Sequence, residues 1–78
     1  MQLLVQTSAG DLDAWKSAFD AEAENIANAG LTTLQIWTGE NANILVLFEV
    51  HNRDHAEDWL ARQAAFGSSL AAQFLETI

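Results

Sequence analysis

Hydrophobic and polar positions change period along the chain, most sharply between Thr33 and Val50. Thr33-Leu34-Gln35-Ile36-Trp37-Thr38 alternates, Gly39-Glu40-Asn41-Ala42 carries turn residues, and Ile44 to Phe48 is apolar at both parities. Alternation marks a strand with one covered face, whereas an apolar run at both parities marks a strand covered on both. The stretch therefore predicts a hairpin in which residues 43–50 form a central strand and residues 33–38 its less buried neighbour.

On either side the period lengthens. Residues 2–7 read as a first strand ended by Ser8-Ala9-Gly10. Asp11 or Ser8 can cap a helix, with Asp13 near the positive end of its dipole. Leu12, Trp15, Phe19, Ala23 and Ile26 form one apolar stripe, and Gly30 stops the helix because a left-handed C-terminal residue costs least without a β-carbon. After the turn His51-Asn52-Arg53, Asp54 and Glu57 have capping-box spacing, with Asn52 as the other candidate cap. Ala56, Trp59, Leu60 and Ala64 supply the buried side of this second helix, and Gly67-Ser68-Ser69 interrupts it. Leu70, Phe74 and Ile78 recur at helical spacing, which predicts a short terminal helix in preference to an edge strand over 73–78. In a strand-helix-strand-strand-helix order, a split βαβ arrangement sets the first strand beside the third and both helices on one face.

Composition adds a need for partners of the chain's own kind. A single domain of 78 residues buries only about 60% of the surface its unfolded chain exposes. Without Cys, neither a disulfide nor a thiolate metal site compensates. Half of the residues are hydrophobic and only 18% are charged, below the roughly 25% usual for soluble domains. Self-association is the expected remedy. Asp and Glu total 11 against three cations, Lys16, Arg53 and Arg62, for a net charge of −8. That field disfavours nucleic acid and anionic membranes as partners. The apolar run Leu3-Leu4-Val5 is too short for a membrane span and lacks a basic leader, so a soluble cytoplasmic protein is expected.

The helix openings Asp11-Leu12-Asp13-Ala14-Trp15-Lys16-Ser17-Ala18-Phe19 and Asp54-His55-Ala56-Glu57-Asp58-Trp59-Leu60, with the hairpin ending Leu47-Phe48-Glu49-Val50, resemble the dimeric α/β-barrel superfamily. This superfamily has a ferredoxin-like α+β core and includes antibiotic-biosynthesis-monooxygenase-like proteins. The resemblance spans roughly residues 2–66. It implies an antiparallel sheet with helices on one face, two copies closing sheet to sheet around a pocket, and no cofactor. It also implies a fourth strand, for which only the tail beyond Gly67 is available.

Strand parity maps the candidate site. Ile44, Val46, Phe48 and Val50, with Leu34 and Ile36, are expected to meet the helices. The opposite face then carries Gln35, Trp37, Leu45, Leu47, Glu49 and His51, with Leu4 and Gln6. This requires an odd number of residues in the hairpin loop, because a one-residue slip exchanges the faces. The odd loop is preferred since it keeps Gln35 and Glu49 out of the helix-packed core. The mixture of Trp and Leu with Gln, Glu and His suits a small-molecule cavity. By resemblance, the substrate of a cofactor-independent oxygenase supplies the electrons and the protein a dry pocket. His51 would be the proton acceptor, Gln35 a hydrogen-bond donor and Trp37 a stacking wall. The competing reading is a non-catalytic oligomerisation or regulatory module whose barrel is filled by side chains, with Trp37 packing on the partner. His51 and His55 lie on opposite sides of a turn and are not read as metal ligands. Trp15 and Trp59 are read as core, and Ser68 and Ser69 as cap or linker.

Overall fold

A computed structural model describes residues 1–62 and 71–78. In chain order the elements are β1 (Gln2–Ser8), α1 (Leu12–Ala21), α2 (Ala23–Asn28), β2 (Leu31–Thr38), β3 (Asn43–Val50), α3 (Arg53–Arg62) and β4 (Ala71–Leu75). The sheet order is β2-β3-β1-β4 and every pairing is antiparallel. β1 therefore lies beside β3, as the split arrangement requires, and β4 covers its other edge.

One face of the sheet meets the helices. Leu3, Val5 and Thr7 of β1 and Ile44, Val46 and Phe48 of β3 are buried. The apolar ones pack with Trp15 and Phe19 of α1, Ile26 of α2, and Ala56 and Trp59 of α3. Phe48, 1% exposed, joins the helices through its ring: its centroid is 6.3 Å from Phe19 and 5.8 Å from Trp59, the latter edge-on. Trp15 stacks on Phe19 at 5.1 Å. Ring pairs of this kind add about 0.5–1.5 kcal/mol each beyond the area they bury.

Local chemistry sets the boundaries. Asp11 caps α1, its Oδ1 accepting from the Ala14 amide at 3.0 Å. The stripe expected to form one helix is divided at Glu22, where φ −88° and ψ 1° leave helical geometry. Ala23, just past this break, is exposed, and Leu12 is 48% exposed at the first turn of α1, although both belong to the stripe by spacing. α3 is capped by Asn52, whose Oδ1 accepts from the His55 amide at 3.0 Å. The Asp54–Glu57 box is not what caps it: Asp54 already lies in the first turn.

The hairpin keeps the odd register. Thr38 pairs Ile44 and Trp37 pairs Leu45, with residues 39–43 between. A bulge then shifts the register between Thr33 and Gln35. Leu34, expected against the helices, is the extra residue of this bulge and is 49% exposed, while Ile36 packs at the rim of the core. The tail also departs from its helical spacing: 71–75 pair with β1 as a strand, Phe74 opposite Leu3. An unpaired edge on β1 outweighs the period of three isolated apolar residues. Ala64, Gly67, Ser68, Ser69 and Leu70 lie outside the described residues.

Candidate functional site

The face turned away from the helices can be reconstructed from register, since directly paired residues share a face. Three rows cross the four strands from β2 to β4: Thr32–Glu49–Gln2–Leu75, then Gln35–Leu47–Leu4–Gln73, then Trp37–Leu45–Gln6–Ala71. Apolar Leu4, Leu45 and Leu47 sit half-buried at the centre, and Trp37 is 45% exposed at the β2 edge. None of the described helices packs over them.

Polar groups frame this patch. Gln2 Nε2 donates to Glu49 Oε2 at 2.8 Å, and the Met1 ammonium lies 3.7 Å from Glu49 Oε1. Glu49 is thereby held on the sheet by neighbours that suit its charge. Just past the end of β3, exposed His51 shares a 3.1 Å hydrogen bond between its Nε2 and Thr32 Oγ1, and its amide donates to the Gly30 carbonyl at 2.7 Å. Gln35 and Gln73 flank the central Leu4–Leu47 pair. Between β1 and β4, Leu4, Gln6, Ala71, Ala72 and Gln73 line an open groove of about 200 Å³.

Of the residues singled out by sequence, Gln35, Trp37, Leu45, Leu47 and Glu49 fall on this one face, with Leu4 and Gln6 beside them. His51 joins only its Glu49 end. Leu45, opposite Trp37, precedes His51 by six residues of extended chain, about 20 Å along the strand. Gln2, Thr32, Ala71 and Gln73 were missed. The period of two in Gln2-Leu3-Leu4-Val5-Gln6 already pointed to Gln2, but Ala71 and Gln73 enter only once the tail becomes a strand. His55 is exposed on α3, and among the described residues no three His, Asp or Glu gather to hold a metal ion. No helix among them is long and apolar enough to cross a membrane.

The four-stranded antiparallel sheet, order β2-β3-β1-β4 with helices on one face, is a ferredoxin-like α+β fold. A solved structure with the same arrangement is that of an uncharacterised NIPSNAP domain protein from Burkholderia xenovorans. It is 13% identical, with a TM-score of 0.61, over 100% of this chain and 95% of that one. At that identity the likeness concerns fold. No family model matches the chain, and no curated protein matches it.

Proposed function

We propose that the chain is one half of a homodimeric α/β barrel of monooxygenase-like descent, closed through the helix-free sheet face and binding a small aromatic or hydrophobic molecule between its sheets. One observation carries the reading. The central rows of that face present Leu4, Leu45, Leu47 and Trp37 with no described helix over them, and an apolar sheet face gains stability by being covered. Neutral amides at Gln35 and Gln73 and the tethered carboxylate of Glu49 would orient a ligand by hydrogen bonds. Turnover, on this reading, is cofactor-independent oxygenation of a phenolic or quinone-like molecule with His51 as proton acceptor. A ligand within reach of His51 would lie over the Thr32–Glu49 end, away from Trp37.

That separation favours binding over turnover and supports a second reading, a non-catalytic oligomerisation or regulatory module with a filled interior. Sedimentation equilibrium and a thermal-shift screen of small phenols and quinones test both. The first reading expects a micromolar or tighter dimer, a raised melting point with at least one compound, and loss of that shift in Leu47→Asp. It also expects oxygen uptake with that compound, abolished by His51→Ala. A dimer that no compound stabilises leaves the non-catalytic reading, and a stable monomer overturns both.

A further inference from the structure

The row that ends in Trp37 begins, at its other edge, in Ala71. The bulkiest side chain of the open face and one of its smallest thus occupy the two outer strands at the same height. Beside Ala71 lies the groove lined by Leu4, Gln6, Ala72 and Gln73, about 200 Å³ and of a size to accept an indole ring. Trp37 cannot reach it within one chain, because β3 and β1 intervene, three strand spacings or about 14 Å in all.

A two-fold axis lying between two stacked sheets and running along the strands reverses the strand order from one copy to the other. β2 then faces β4 of the second copy, β3 faces β1, and the heights of the rows are kept. Trp37 comes over the Ala71 groove, Leu47 over Leu4, Gln35 over Gln73, and Glu49 over the amide of Gln2. Each facing pair occurs twice, as an isologous interface demands, with the interior between the central rows. The other in-plane axis, across the strands and centred on the Leu4–Leu47 row, instead carries Glu49 onto Leu45 and Trp37 onto Thr32. That arrangement sets the carboxylate of this face against an apolar partner, which is costly.

We infer that Trp37 of each copy docks into the β1–β4 groove of a second copy, with the two-fold axis along the strands. The inference rests on the homodimer reading and specifies its contacts: Trp37 becomes the anchor of the interface, and the Thr32–Glu49–Gln2 end is left as the mouth of the interior.

The test uses two single variants and their mixture. Trp37→Ala empties the contact and Ala71→Trp blocks it, so each should weaken self-association measured by sedimentation equilibrium about tenfold or more. Circular dichroism checks that both stay folded, which is expected because both positions are exposed. Mixed together, the two variants regain complementarity at both contacts. The Trp37 of the Ala71→Trp chain enters the intact groove of the other chain, and the introduced indole fills the space left by Trp37→Ala. The mixture should form heterodimers within about threefold of the wild-type affinity. A mixture no tighter than the single variants, or single variants as tight as wild type, overturns the Trp37–Ala71 contact while leaving the homodimer standing. A monomeric wild type overturns both.

Discussion

At Gly30 the chain turns with φ +71°, and a β-carbon there would lie 2.9 Å from Asn52 Cβ and 3.0 Å from Asn52 N. The residue that turns the chain out of α2 thus also makes room for the cap of α3, and its carbonyl receives the His51 amide. Gly30→Ala should cost about 2–3 kcal/mol in chemical denaturation, left-handed strain plus overlap with backbone. The reverse situation exists in the hairpin loop. Ala42 adopts φ 62° although it carries a β-carbon. Ala42→Gly should therefore stabilise by about 0.5–1 kcal/mol in the same measurement, the relief of strain exceeding the added chain entropy. Gly30 was legible as a helix stop because glycine advertises a left-handed turn. Its clearance from Asn52 was not, since those residues meet only when β2 and α3 are in place. Ala42 offered no signal at all.

At the scale of elements, period decided correctly where a run was long. Five consecutive apolar residues in β3 and the stripe through Trp15, Phe19 and Ile26 took the faces their spacing required. Short segments followed their neighbours instead. The tail had helical spacing, yet β1 lacked a partner on one edge, and backbone hydrogen bonding to that edge settled its form. β4 is anchored by Phe74, half-buried against the core, with the Arg53 guanidinium 4.5 Å above its ring. Arg53 also bonds Glu57 at 2.9 Å, so α3 and β4 are tied through one side chain. Phe74→Ala should cost about 1–2 kcal/mol through lost packing and cation–π attraction, lowering the melting temperature by about 5–10 °C. Light scattering on the variant should rise with concentration as the loosened strand exposes the edge of β1. The bulge at Leu34 belongs to the same class, for nothing local marks the register shift between Thr33 and Gln35.

For the whole molecule, charge and apolar surface oppose each other. Each chain carries −8, so the proposed pairing would bring two anionic bodies together while covering a face whose central rows are uncharged. Repulsion at long range is screened by salt, whereas the contact between sheets is not. Self-association should therefore tighten as ionic strength rises from about 10 to about 150 mM, where the Debye length falls from about 30 to about 8 Å. Sedimentation at the two salt concentrations checks it; an interface made of ion pairs between copies would weaken instead.

The sequence alone determined which strand is central, which parity of β1 and β3 meets the helices, and the odd hairpin loop, because side-chain periodicity and the cost of burying Gln35 or Glu49 act within a few residues of one another. Tertiary structure alone decided that the tail is a strand, that Leu34 bulges out, and that Ala71 stands level with Trp37. Those facts depend on the register between strands distant in the chain, which is fixed only when hydrogen bonds and packing across the whole sheet are satisfied together.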